Sequence, residues 1–296
     1  MKFRFVFVTL LLLHSSLAVF TSQNVEARSF LWKVQSEKSV VYLFGSIHFA
    51  KPEFYPLRPE VEKAFKNASI LAVEVNINNI SEIEMQQTIL AKGIYPPGDS
   101  LQKHVDQETL SLLDTFVRKQ GLPPEGFLNT RPGFLAMTLS IMKMVSMGFL
   151  PEYGLDLHFI RRAEKYPEMS IVELESSQEQ LELFFNLPNQ EAFLKYTLIQ
   201  FAQMDSQIKQ IVSAWQNGDA KTLAAMLVEQ PEKEYPQLAQ IQDLMFTQRN
   251  KKMAQKIETF LQRSNTYFVV VGAGHLVGKD GIVALLQKKG YSVQQQ

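Results

Sequence analysis

Two short stretches deliver a histidine past an apolar run in the same way. Gly45-Ser46-Ile47-His48 follows the run Val40–Phe44, and Gly272-Ala273-Gly274-His275 follows Tyr267–Val271. Aromatic and β-branched residues in runs this short read as buried strands. A glycine at the end of each lets the backbone turn or come close to a ligand. A third apolar run, Ile70–Val75, carries a single charge, Glu74, and a carboxylate in such a run is costly unless it is used. Two imidazoles and a carboxylate suit a divalent ion with positions left open to water. An ion held this way lowers the pKa of its water to about 7, giving a hydroxide nucleophile near neutrality. One histidine at a strand end equally suits a structural hydrogen bond. The repeated motif, with Glu74 beside it, is the argument for chemistry.

These residues meet only if their strands are neighbours, because sites in open sheets with crossover helices form outside the carboxyl ends of the strands. Phe30–Val34 and Val40–Phe44 read as a hairpin across the polar Gln35–Ser39. Phe49–Pro59, with three prolines, is a loop, and Glu60–Asn67 a short helix leading to Ile70–Val75. Strand, loop, helix and strand in that order suit a parallel pair joined by a crossover. Helices are expected over Ser81–Lys92, Asp106–Gln120, Phe134–Leu150 and Leu155–Lys165, then a strand at Ser170–Leu174. Ser176 and Glu179 form an S-x-x-E capping box, and amphipathic helices continue to about Gln262. Tyr267–Val271, a helix over Gly281–Lys289 and a strand at Tyr291–Val293 close the chain. The methionine-rich Phe134–Leu150 is either a core helix or the lining of a groove for an apolar partner. The fold class is α/β: a mixed central sheet with crossover helices in one domain over 28–296, with a large helical insertion about 80–262.

Residues 1–27 read as a signal peptide: Lys2 and Arg4, the apolar Phe5–Leu13, and a loosely A-x-A-like end at Val25–Ala27. An exported protein, periplasmic or secreted, is expected, with no stable membrane span after cleavage. If the segment is retained, it is an anchor. The remainder holds 28 basic and 29 acidic residues, a net charge of −1, and gives no electrostatic reason to expect nucleic acid as a partner. The 296 residues include no cysteine, which excludes thiolate nucleophiles, thiolate zinc sites and iron–sulfur clusters and leaves histidine and carboxylates for any metal.

GSIH at 45–48, LAVEVN at 71–76, YGLDLHF at 153–159, VELESSQEQ at 172–180, TQRN at 247–250 and the closing VVVGAGHLVGKDGIVALLQKKGYSV at 269–293 resemble the TraB/GumN/PrgY family, itself related to the Tiki-type metallopeptidases. The resemblance runs in order from about residue 29 to 294. It implies a fold like that of the erythromycin-esterase and ChaN-like proteins, with His48 and His275 as metal ligands and Glu74 as ligand or general base. It further implies Arg249 as stabiliser of developing negative charge, a role a fixed guanidinium fills well. By itself Arg249 reads equally as a surface residue at a helix start. Glu175 matches the family's Leu-Glu and is either a second site carboxylate or a helix-start charge. Asp156 matches its Gly-x-Asp and is either a site residue or a cap. His158 reads as structural within its helix, and His104 as a surface residue in a polar loop. Manganese or cobalt is the cofactor the resemblance implies; histidine and oxygen donors also admit zinc.

The expected function is a metal-dependent hydrolase, a peptidase with peptide or protein as its substrate. The rivals are a non-catalytic binder of peptides or signal molecules, and an esterase-like enzyme using histidine without metal.

Overall fold

The computed structural model describes residues 28–296; the expected signal segment, 1–27, lies outside the described residues. Six strands form one sheet: β1 Leu31–Gln35, β2 Val40–Ser46, β3 Ile70–Val73, β4 Ser170–Glu173, β5 Thr266–Gly272 and β6 Ser292–Gln295. Their order is β4-β3-β5-β2-β1-β6. β4, β3, β5 and β2 run parallel, while β1 is antiparallel to both β2 and β6. The sheet is therefore mixed, as the sequence led us to expect.

The last long strand takes the middle place. β5 enters between β3 and β2, so the ends of the first and third apolar runs flank it. Every residue of Tyr267–Gly272 is buried, as a parallel strand covered on both faces requires. Successive side chains point to opposite faces. Phe268 meets Phe159 and Phe65, with ring centroids 4.8 and 5.6 Å away, from helices α4 (Leu155–Ala163) and α1 (Pro59–Lys66). Tyr267 stacks on Phe260, 4.4 Å away, from α8 (Gln248–Leu261) on the other face. Beside α8 packs α9, Ile282–Lys288.

The stretch 80–262 contains helices and their connections and one strand, β4, which returns to the sheet edge beside β3. Within it, α2 (Gln107–Lys119), α3 (Pro132–Ser146) and α6 (Gln190–Gln200) enclose a second core that includes Leu113, Leu135, Leu139 and Leu194. α5 (Ser177–Phe185) opens with the expected Ser176–Glu179 capping box. α7 spans Met204–Gln216. α3 stops at Ser146 instead of Leu150, because Gly148 takes a φ of +79° that ends the helix. Leu135, Ala136 and Leu139 are buried, so one face of α3 is core, while its Met144 lines a cavity. The one charge of α3, Lys143, pairs with Asp205 at 2.8 Å.

Candidate active site

The register of the ladders brings the distant motifs together. Val73 pairs with Val270, and Ser46 pairs with Gly272. Glu74 is the first residue past β3, so it lies beyond the strand and not inside it as expected. His48 and His275 follow β2 and β5. A Cβ placed on Gly272 would lie 3.2 Å from His48 Nε2, 3.4 Å from Glu74 Oε1 and 3.6 Å from His275 Cδ2. The three side chains thus converge over the bare backbone of Gly272. The φ and ψ there, −51° and 136°, are open to any residue, so the glycine serves space, not backbone freedom.

Each group is held from behind. Asp156 accepts from His48 Nδ1 at 2.8 Å, and Ser46 Oγ donates to the same carboxylate at 2.8 Å. Asn250, on α8, donates through Nδ2 to the Asp280 carbonyl, which turns Oδ1 toward His275 Nδ1 at 2.6 Å. With Nδ1 donating in both rings, each Nε2 faces the common space. Glu74 Oε1 accepts the Gly272 N–H at 2.6 Å, while Oε2 accepts from Arg249 Nη2 at 2.6 Å and from Gln180 at 3.0 Å. Arg249 also chelates Glu175 through Nε and Nη2.

Burial pushes the His275 imidazole down to about 4, so it is neutral at physiological pH. Burial also pushes Glu74 up, but the two imidazoles, Arg249 and the Gly272 N–H together outweigh it and hold the carboxyl at about 2. Since His275 is neutral, His48, Arg249 and the Gly272 N–H are the groups that keep Glu74 ionised. His48 moves the other way, to about 9, chiefly through the Asp156 carboxylate.

An open cavity of about 460 Å³ lies against these groups. His48, Glu74, Arg249 and His275 form its polar wall. The rest of the lining includes Ile47, Phe49, Met144, Leu183, Trp215 and Phe246.

Of the five expected site residues, Glu74, Glu175 and Arg249 are joined by ion pairs, His275 Nε2 lies 3.8 Å from Glu74, and His48 Nε2 comes to the same point over Gly272. Two alternative readings are corrected. The cap of α4 is Gly154, and Asp156 is instead the partner of His48. Arg249 is no surface residue: only 16% of its side chain is exposed, because two carboxylates draw it inward. Asn250 and Gln180 were missed. Their signal was present in TQRN and VELESSQEQ, where each polar residue lies on a helix beside a charged one. His158 packs on the Tyr55 ring and accepts from Arg162, away from the cavity. His104 pairs with Asp99 over Tyr95.

Among the described residues no group of three or more His, Cys, Asp or Glu side chains is arranged to hold a metal ion as it stands. The donor chemistry nevertheless fits one. Neutral His275 turns its Nε2 lone pair toward Glu74 Oε1, 3.8 Å away, and two electron-rich atoms facing each other call for a cation. The outer hydrogen bonds from Asp156 and Asn250 are of the kind that orient metal-ligating imidazoles.

The profile of the TraB/PrgY/gumN family matches residues 30–295. The chain is 26% identical to an uncharacterized protein, YbaP, of Escherichia coli over 83% of this chain and 87% of that one. It is 24% identical to a metalloprotease TIKI homolog of Amphimedon queenslandica over 98% of this chain and 66% of that one. With metalloprotease TIKI2 of Danio rerio the identity is 23%, over 91% and 61%. The chain spans 60–66% of the length of the Tiki relatives it matches. No solved structure matches it.

Proposed function

The chain belongs to the TraB/PrgY/gumN family, and from that premise we propose that it is a metal-dependent hydrolase acting on peptide bonds. The observation that carries this reading is the pair formed by His275 Nε2 and Glu74 Oε1, 3.8 Å apart with no proton to share. His48, His275 and Glu74 are the residues that would hold a divalent ion, manganese, cobalt or zinc. Such an ion supplies polarisation of the scissile carbonyl and a water acidic enough to ionise near neutrality. The chain's own residues do the rest. Asn250 and Asp156 fix the two rings with Nε2 inward. Arg249, Gln180 and the Gly272 N–H keep Glu74 charged and aligned. Arg249 is spent on Glu74, Glu175 and the Met245 carbonyl, which makes it a positioning residue in preference to the oxyanion stabiliser first expected.

The test is metal content and cleavage of a peptide library by the wild type, His48→Ala, His275→Ala and Glu74→Gln. Loss of both bound metal and turnover in all three supports the reading. Full activity in both histidine variants ends it. The His48–Asp156 dyad favours a second reading, an esterase-like enzyme with His48 as general base once the ring has lost the proton that Asp156 holds on it. Activity that survives chelators yet vanishes in His48→Ala selects it.

Export belongs to the same proposal and rests on segment 1–27. Among the described residues no helix is long and apolar enough to cross a membrane. Sequencing the amino terminus of the protein recovered from outside the cytoplasm checks cleavage.

A further inference from the structure

The cavity beside the site has a composition that selects among peptides. Away from the four polar groups of the site, and from Ser46 and Gln180, its lining is apolar and includes Ile47, Phe49, Leu183, Trp215, Leu227 and Phe246. At about 460 Å³ it is in the range that takes a small organic ligand. The titratable side chains lining it are those of the site itself, His48, Glu74, Arg249 and His275. Arg249 is already matched by two carboxylates, Glu74 and Glu175. His48 is matched in turn by Asp156 at 2.8 Å, so the cavity offers a free carboxylate no cation without a partner of its own.

We propose that this cavity receives a bulky apolar side chain, of leucine, methionine or phenylalanine type, from a peptide segment whose neutral amides pass the His48–Glu74–His275 wall. The inference rests on the hydrolase reading only for which bond is cut; binding itself does not need turnover. One feature of the wall, the Glu74 carboxylate, favours a peptide over a fatty acyl chain. A carboxylate headgroup entering beside Glu74 meets a like charge. A blocked amide carries none and leaves the Glu74–Arg249 pairing intact. The apolar lining pairs with an apolar side chain through loss of hydrated surface, whereas a polar side chain of equal size would lose its water without partners.

Trp215 supplies a direct readout. It lines the cavity, donates to the Gly45 carbonyl at 2.7 Å, and is one of two tryptophans in the chain. In a Trp32→Phe background its fluorescence reports occupancy in metal-free protein. The probes are acetyl- and amide-blocked pentapeptides with central Leu, Phe, Asn, Gln or Ala, and decanoate. Leu and Phe peptides are expected to bind more tightly than Ala and Asn peptides, by on the order of 10- to 100-fold in Kd. Leu227 and Leu183 are partly exposed, so Leu227→Ala and Leu183→Gln are expected to keep the fold, checked by circular dichroism. Leu227→Ala enlarges the cavity and shifts preference from Leu toward Phe; Leu183→Gln weakens both apolar peptides. Equal binding of Leu and Asn peptides, or preferences unchanged in both variants, overturns the inference. So does decanoate displacing the peptides at lower concentration. Apolar preference without hydrolysis under any metal instead overturns the hydrolase reading and leaves this inference standing.

Discussion

Asn250 Oδ1 accepts from His275 Nδ1 at 2.6 Å, and that one contact decides which nitrogen of the buried ring faces the cavity. The amide is itself anchored on the Asp280 carbonyl, which sets its orientation independently of the imidazole. Removing it with Asn250→Ala leaves His275 in place but free to rotate and to change tautomer. Metal affinity is expected to fall roughly 10- to 100-fold, read by titration calorimetry. The nitrogen spectrum of the His275 ring is expected to lose its single tautomer. An unchanged spectrum would show that packing alone holds the ring.

Gly45 and Gly272 occupy equivalent motif positions but fail differently. A Cβ on Gly45 would lie 2.3 Å from Phe30 Cδ1 and 3.1 Å from the Ala273 backbone. Gly45→Ala is therefore expected to cost about 1–3 kcal/mol of stability through overpacking. A Cβ on Gly272 meets only the tips of the site side chains. Gly272→Ala is expected to melt near the wild-type temperature while metal binding and turnover drop. Denaturation curves beside metal titrations distinguish the two.

Arg249 neutralises two buried carboxylates, Glu74 at 6% and Glu175 at 8% exposure. Arg249→Met leaves both without their cation, and the expected loss is about 3–5 kcal/mol. Pairing it with Glu175→Gln removes one of the stranded charges and is expected to recover part of that loss. Equilibrium urea unfolding of the single and double variants gives the coupling. Additive effects would mean that the contact contributes little.

Stability of the metal-free protein depends on pH in two opposed ways. Burial holds His158 at about 4, with Arg162 adding to the effect, and burial holds His275 at about 4 as well. Between the unfolded value near 6.5 and about 4 the unfolded chain binds the protons, so stability is full above 6.5 and falls as pH drops. His48 is raised to about 9 by Asp156. Its contribution is full below 6.5 and is lost as pH rises through 9. His158→Gln is expected to flatten the acid limb and His48→Gln the alkaline limb of stability against pH. Parallel curves for all three proteins would contradict these assignments.

The local levels were legible in the chain itself. Runs such as Tyr267–Val271 and Ile70–Val73 are strands because short aromatic and β-branched stretches bury well in parallel sheets. Ser176 with Glu179 is a capping box because a side-chain oxygen within three residues reaches an unpaired N–H. The paired Gly-x-x-His motifs marked the ends of two such strands, and composition excluded cysteine chemistry outright.

The partners of those groups belong to another level. Asp156 and His48 are 108 residues apart, Glu74 and Arg249 175 apart, and Asn250 and His275 25 apart. No periodicity encodes such pairs. They arise because β5, the last long strand, inserts between β2 and β3, and because α4 and α8 cover opposite faces of that trio. Asp156 looked like a cap and Arg249 like a surface charge, since local sequence reports only what a residue does for its own helix. Which buried charge answers which is settled by packing, where an unpaired carboxylate under 10% exposed is too costly to leave alone.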